Sequence, residues 1–319
     1  MPKILLVKTS SLGDVIHQLP AVSDIRQNFP DATVDWVVEE NFAGLPALHP
    51  GVRQVIPVAI RRWRRAPLNP AVWRELAAFK RRLQSQHYDL VLDSQGLLKS
   101  ALITLLARGP RCGYDRVSAR EALAALAYDQ TIAIPRDLHA VERNRLLAAR
   151  ALGYEPADQV DYGIAAPAAT LPWLGETPYV VLLHATSRAD KEWPERHWVA
   201  LAAELDRRGV RCVLPWGGEK ERERSERLAH QMPNAIVPPR LCLTEAAALL
   251  GGARAVAGVD TGLSHLAAAL KVPVVALYLA SDPGLTGVYS GGSAINLGRA
   301  GQPPLPHEVG AALMGIMRA

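Results

Sequence analysis

Short runs of aliphatic and β-branched residues alternate along this chain with longer stretches of helical periodicity. No other feature restricts the fold as strongly. Strands are expected at 4–9, 33–38, 53–57, 88–93 and 131–134, and a second series at 179–184, 210–215, 235–237, 255–259 and 272–278. Helical patterns lie between them at 70–86, 139–152, 197–208, 220–231 and 263–270. Strands separated by helices of this length imply βαβ crossovers and parallel sheets. Residues 155–178 hold four prolines and no periodicity, which marks a linker. The 319 residues therefore read as α/β, with two doubly wound Rossmann-like domains, 1–160 and 161–319, facing across a central cleft. A last helix over 308–318 is placed to pack back on the N-terminal domain.

Ligands of doubly wound sheets bind outside the carboxyl ends of the strands, so three strand-end loops matter most. The first, KTSSLGDVIHQLP at 8–20, puts Asp14 at a helix start behind Ser10, Ser11 and Gly13. Asp at that position is an N-cap, and equally a carboxylate that backbone donors and the helix dipole hold ionised. An ionised Asp accepts a proton from an attacking hydroxyl. Pro20 bends this helix or ends its first segment. The second loop, LHATSRADKEWP at 183–194, gathers Thr186, Ser187 and Lys191. It reads as a polar surface loop or as a phosphate cradle of hydroxyls, amides and a point charge. In the third, VDTGLSHLAAAL at 259–270, Asp260 ends a strand and Thr261 and Gly262 open a helix whose amides suit a diphosphate. His265 is either core-facing or at the same mouth. Its Asp-Thr-Gly triplet occurs once, in a strand-to-helix setting, which excludes an aspartic protease.

Other absences narrow the class. No G-x-G-x-x-G follows the first strand and no P-loop motif occurs, so dinucleotide-binding and P-loop enzymes lack their fingerprints. No Asp-x-Asp occurs, which argues against a carboxylate-bound metal. Cys112, Cys212 and Cys242 are three and scattered, which fits buried reduced thiols and no disulfide framework. The charge-free stretch 283–298 is 16 residues long with five glycines, too short and broken to span a bilayer. The first residues lack the apolar core and cleavage site of a signal peptide, so a cytosolic protein is expected.

Charge then locates a partner. The formal net charge is +5, yet residues 1–160 carry 21 basic and 16 acidic side chains while 161–319 carry 15 of each. Residues 51–82 alone hold nine Lys/Arg against Glu75. At their centre Arg61, Arg62, Arg64 and Arg65 surround Trp63. Guanidinium forks match carboxylates and phosphates. The patch fits nucleic acid, an anionic membrane with Trp63 as interfacial anchor, or a polyanionic acceptor. Nucleic acid is disfavoured, because the basicity is local and no recognisable module is present.

Taken together, these segments resemble the lipopolysaccharide heptosyltransferase family over nearly the whole length. The resemblance rests on VKTSSLGDVIHQLPA at 7–21, WVVEE at 36–40, VIPVAIRRWRR at 55–65, DSQGLLKSA at 93–101, AREALA at 119–124 and HAVERNR at 139–145. It continues through LHATSRADKEWP, LPWGGEKERER at 214–224 and VDTGLSHLAAAL, and the arginine block favours the type I members. It implies a GT-B fold and an inverting, metal-independent transferase with no cofactor. Such an enzyme moves L-glycero-D-manno-heptose from ADP-heptose to Kdo2-lipid A. By this resemblance Asp14 is the general base, and Lys191 stabilises the departing diphosphate. Thr186, Ser187, Lys191, Thr261, Gly262 and His265 hold that diphosphate, Asp260 binds heptose hydroxyls, and Glu221 contacts the ribose. Leu241 stands beside the adenine where Met is expected, and Ser187 replaces a second Thr. Ser10, Ser11, Gly13, Arg61, Arg62, Arg64, Arg65 and Arg120 face the acidic acceptor. A monomer, peripheral on the inner face of a bacterial inner membrane, completes the expectation. The alternatives are a related transferase of type II character and a noncatalytic binding module for anionic membrane or nucleic acid.

Overall fold

A computed structural model describes residues 1–290 and 294–317. The chain forms two compact units, Met1–Gly163 and Ile164–Ala319, and the junction falls in the proline-bearing stretch that contains no helix or strand. In the first unit β1 (Lys3–Val7), β2 (Thr33–Glu39), β3 (Val52–Val58), β4 (Leu90–Asp93), β5 (Arg111–Tyr114) and β6 (Gln130–Ile132) form one sheet. Its order is β3-β2-β1-β4-β5-β6 and every pairing is parallel. The second unit contains β7 (Tyr179–Leu183), β8 (Arg211–Val213), β9 (Ala255–Val259), β10 (Val274–Leu277) and β11 (Ala294–Leu297). They lie in the order β11-β10-β9-β7-β8, again all parallel. Both are doubly wound Rossmann-like sheets. Their strand order reverses between β1 and β4 in one and between β7 and β9 in the other, which fixes where a ligand crevice opens.

The sequence explains the central strands. Ile4–Val7 and Val180–Leu182 are continuous aliphatic runs with no exposed surface, as strands covered by helices on both faces require. The core of the second unit gathers Trp193, Trp198 and Leu205 with β7, β9 and β10. The last helix, Pro306–Ile316, seats Val309 and Leu313 in that same core. Its expected end, Arg318, lies outside the described residues.

Departures from the expected elements have local causes. Residues 235–237 form no strand and make only a bridge from Ile236 to Val213, because Pro233, Pro238 and Pro239 cut the available donors. Strands β5 and β11 were not anticipated, each being four residues long with polar or glycine content. Helices Leu98–Leu106 and Leu243–Gly252 escaped because they are apolar almost all round and lack a contrasting polar face. Pro20 acts as expected: one helix closes at Ile16 and the next, Leu19–Asn28, carries it in its first turn. Cys112 and Cys212 are buried, whereas Cys242 is exposed, against the expectation for all three.

Candidate active site

In the first unit the loop after β1 is tied to the loop after β4. Thr9 and Ser10 donate their backbone N–H groups to Gln95 Oε1 at 2.9 and 3.1 Å. Gln95 is placed by Asp93, whose Oδ1 accepts the N–H groups of Gln95 and Gly96 at 2.8 and 3.1 Å. Gly96 turns the chain at φ 66°, a conformation that favours glycine. Ser10 Oγ accepts from Lys99 Nζ at 2.7 Å. Thus the expected residues Ser10 and Ser11 lie at the switch point, on a loop fixed from β4.

Asp14 is not the N-cap of the helix Leu12–Ile16. Ser11 holds that position, and Asp14, in the third helical position, accepts Ser11 N–H at 2.8 Å and Ser11 Oγ–H at 3.2 Å. Reaching back in this way satisfies an orphan donor at the helix start. It leaves Oδ1 for Arg120, whose Nη2 donates at 2.7 Å. Gly13, also expected here, lies inside this first turn and accepts from His17 N–H. Burial raises the Asp14 pKa, but Lys8, Arg120, the Ser11 N–H and His17 outweigh it and bring the carboxyl to about 2.

Lys8 opens the first of the strand-end loops. It is buried one residue past β1, and its Nζ donates to Ser94 O at 2.7 Å and to Asn144 Oδ1 at 3.3 Å. Burial lowers its pKa to about 8, against the pull of Asp14 in the other direction. Lys8, Asp14, Ser94, Gln95, Arg120 and Arg143 line one pocket. The segments DSQGLLKSA and HAVERNR supply Ser94, Gln95 and Arg143; the only signal available for those residues was membership of those segments.

The second unit builds its own cluster at the β7/β9 switch point. Lys191 ends a short 3-10 turn, Ala189–Lys191, and its Nζ donates to Asp260 Oδ2 at 2.5 Å. Ser281 Oγ, after β10, donates to the same oxygen at 2.5 Å and had not been anticipated. His265 is buried, with Nε2 3.7 Å from Asp260 Oδ1, so it is both a core residue and a neighbour of this carboxylate. Burial would raise the Asp260 pKa, but His265, Lys191 and Ser281 hold it well below the usual carboxylate range. Thr186 Oγ1 donates to Asp260 O at 3.3 Å, while Ser187 is exposed. Thr261 occupies the N-cap position of the helix Gly262–Ala269, with no capping bond from its side chain. His184, by contrast, is a buried core residue whose Nε2 bonds Ser225 Oγ at 2.8 Å.

Two further expected residues lie on neighbouring loops of this unit. Glu221, in the first turn of the helix Glu219–Ala229, accepts Gly217 N–H at 2.7 Å. Leu241 is half-buried just before the helix Leu243–Gly252.

The arginine block divides. Trp63 is buried, donates to Glu75 at 2.7 Å and packs edge-on against Phe79, so it is no interfacial anchor. Arg62 is held by Glu40 and Glu75 at 2.9–3.0 Å. Sequence counting missed this neutralisation because Glu40 arrives from the end of β2. Arg61 lies over the Phe42 ring at 5.4 Å. Arg64 and Arg65 are exposed, and near them in the chain Leu68 and Trp73 are 92% and 63% exposed. Among the described residues, no group of three or more His, Cys, Asp or Glu is placed to hold a metal ion.

Comparison with known proteins places this architecture. The sequence profile of glycosyltransferase family 9 (heptosyltransferase) matches residues 76–307. Lipopolysaccharide heptosyltransferase 1 of Escherichia coli (strain K12) is 49% identical over 289 residues, covering 90% of this chain and 91% of that protein. The protein of the same name from Pseudomonas aeruginosa is 49% identical over 308 residues, covering 93% and 83%. A solved structure of E. coli heptosyltransferase WaaC with ADP superposes with a TM-score of 0.91 at 44% identity, covering 98% of this chain and 99% of that one. A second, with ADP-2-deoxy-2-fluoro heptose, gives 0.82 at 45%, covering 92% of each. The match to these structures makes the fold GT-B. The chain belongs to glycosyltransferase family 9, the heptosyltransferases.

Proposed function

We propose that this protein transfers L-glycero-D-manno-heptose from ADP-heptose to the Kdo of Kdo2-lipid A, with inversion, in synthesis of the lipopolysaccharide inner core. The reading is carried by an ionised carboxylate, Asp14, at the switch point of the first sheet. The names and bound nucleotides of the similar proteins support the choice of donor and acceptor. The reaction is a single displacement. Asp14 takes the proton of the acceptor hydroxyl as its oxygen bonds to the anomeric carbon. The bond from that carbon to the diphosphate oxygen breaks, and ADP leaves with the electron pair. Lys191 and the amides at Thr261 and Gly262 take up the charge on the departing diphosphate. Thr186, Ser187 and His265 line the diphosphate, and Asp260 binds heptose hydroxyls. Glu221 and Leu241 meet the ribose and adenine. On this reading Lys191 exchanges its bond to Asp260 for the diphosphate when donor binds.

These positive groups stand where a divalent cation would otherwise neutralise the diphosphate, and we propose that the transfer needs no metal. On the acceptor side Ser10, Ser11, Gly13 and Arg120 meet the Kdo, and Arg61, Arg64 and Arg65 meet lipid phosphates; Arg62 takes part only by releasing its two glutamates. The protein acts as a monomer in the cytoplasm, peripheral on the inner face of the inner membrane. Exposed Arg64, Arg65, Leu68 and Trp73 support that attachment.

Asp14→Asn keeps the shape of the side chain and removes its basicity. Turnover should fall by at least about 10²-fold, with ADP-heptose affinity unchanged in a direct titration. Near-normal turnover would refute Asp14 as the base.

A further inference from the structure

Two neighbouring elements of the first unit are built inside out. The helix Leu98–Leu106 buries Ser100, Ala101, Ile103 and Thr104, and leaves Leu98, Leu102 and Leu105 exposed by 44, 64 and 47%. Those leucines, four and three residues apart, form one stripe. The buried hydroxyls find acceptors on their own segment: Ser100 Oγ donates to Leu97 O at 2.8 Å and Thr104 Oγ1 to Ser100 O at 2.9 Å. The 3-10 helix Ala122–Ala127 packs beside it, burying Ala124, Ala125 and Ala127 with Ala101 and Tyr128. Its Leu123 and Leu126, stacked three residues apart, are 56 and 72% exposed. A helix at a water surface turns its large apolar residues inward, whereas here five leucines face out and alanine, serine and threonine face in. Leu98 N–H donates to Glu121 Oε2 at 2.5 Å, which ties the start of one element to the start of the other. An exposed apolar surface of this kind marks a docking face.

Charge selects the occupant. Residues 98–128 carry Lys99, Arg108, Arg111, Arg116 and Arg120 against Asp115 and Glu121. The helix Pro70–Leu83 covers the same side of the sheet, since its Val72, Phe79 and Leu83 share a core with Ile103. Gln84, just past its end, donates Nε2 to Leu106 O at 2.9 Å. This helix adds the exposed cations Arg74, Lys80 and Arg81. A second copy docking about a twofold axis would bring this cationic rim against itself. An anionic lipid surface answers it instead.

We propose that the leucine face of Leu98–Leu106 and Ala122–Ala127 is the surface by which the protein enters an anionic phospholipid bilayer. Leu102, Leu105 and Leu126 reach the acyl region, and the neighbouring arginines and lysines meet the headgroups. The proposal rests on the reading of the protein as peripheral on a membrane, and adds an apolar anchor to the cationic contact at Arg64 and Arg65. Apolar burial and headgroup attraction add, so attachment through both is stable where either alone is weak. The place of this face in the fold gives it a consequence for the reaction. Lys99, the second residue of the helix, bonds Ser10 at the switch point, and Arg120, two residues before the 3-10 helix, bonds Asp14. The bilayer-facing elements therefore carry residues of the acceptor side, and the sugar of a lipid-borne acceptor meets Asp14 while its acyl chains stay in the bilayer.

The test is cosedimentation of the full chain with phosphatidylglycerol-containing vesicles, without donor or acceptor. Leu102→Gln with Leu105→Gln and Leu126→Gln should lower the partition coefficient at least about tenfold. The urea midpoint should stay unchanged, because these side chains are exposed, and so should turnover of deacylated, water-soluble Kdo2-lipid A. A second measurement needs no loss of binding. In a Cys242→Ser background, an environment-sensitive dye on Leu102→Cys should shift its emission to the blue when vesicles are added. Vesicle binding by the triple variant equal to that of the wild type, or dye emission that vesicles do not move, would overturn the proposal. So would a wild-type dimer that the triple variant dissociates, since a second copy would then be the occupant. Failure of the wild type to bind the vesicles at all would overturn the membrane reading on which the proposal rests.

Discussion

Asp14 and Asp260 have opposite relations to the cations around them. Asp260 is held by Lys191, Ser281 and His265 within its own unit, a closed arrangement that favours the charged carboxylate. Asp14 shares Arg120 and Lys8 with a pocket whose donors are not all used, so its environment is set partly by what enters that pocket. Lys8 gives a pH test of this difference. With a pKa lowered to about 8 by burial, its ammonium is charged at neutral pH and loses its proton as pH rises through that value. Asp14, Asp93, Arg120 and Arg143 are the charged groups around it. Acceptor KM should therefore be flat below about pH 7 and rise above about pH 8, whereas Lys8→Met should show a raised KM without that alkaline limb. An identical profile in the variant would assign the limb elsewhere. At this scale the sequence singled out Asp14, Lys191, Asp260 and His265 as candidates, because each lies in a loop or helix that follows a strand end. It did not identify Ser281, Lys8, Ser94 or Gln95, whose roles depend on contacts between loops far apart in the chain.

The elements that present these residues are held by few strong contacts. The helix Ala140–Leu152 carries Arg143 and Asn144 and packs on the helix Leu19–Asn28 through a buried pair. Arg145 donates to both oxygens of Asp24 at 2.7 and 2.9 Å, with both side chains buried. Removing one member of such a pair leaves a buried charge uncompensated. Asp24→Ala should cost about 3–5 kcal/mol of unfolding free energy, read by urea denaturation. A loss under 1 kcal/mol would show that water reaches Arg145 and that the helix is positioned by its apolar contacts. Short aliphatic runs and stretches with a 3.6-residue contrast in polarity were legible from sequence, and so was the parallel arrangement. The helices Leu98–Leu106 and Leu243–Gly252 were not, since a nearly uniform apolar surface carries no period. Trp63 shows the same limit: a tryptophan among arginines reads as an anchor until Glu75 and Phe79 enclose it.

On the scale of the whole molecule, the sequence assigned the net charge of +5 to the first half. The structure refines that patch, because Arg62 is answered by two glutamates while Arg64 and Arg65 are exposed. Among the described residues no helix is long and apolar enough to cross a membrane. Each basic residue near an anionic bilayer contributes about 1 kcal/mol, so Arg64→Gln with Arg65→Gln should weaken binding to phosphatidylglycerol-containing vesicles about 30-fold. Cosedimentation reads this, and unchanged binding would move the membrane contact to another face. The account as a whole depends on the transfer itself. Incubation with ADP-heptose and Kdo2-lipid A in excess chelator, followed by mass spectrometry of the lipid and measurement of ADP, tests it most directly. The prediction is one heptose added to the lipid for each ADP released, at a rate the chelator does not lower. ADP-heptose left intact beside unmodified Kdo2-lipid A, with and without added divalent cation, would contradict it.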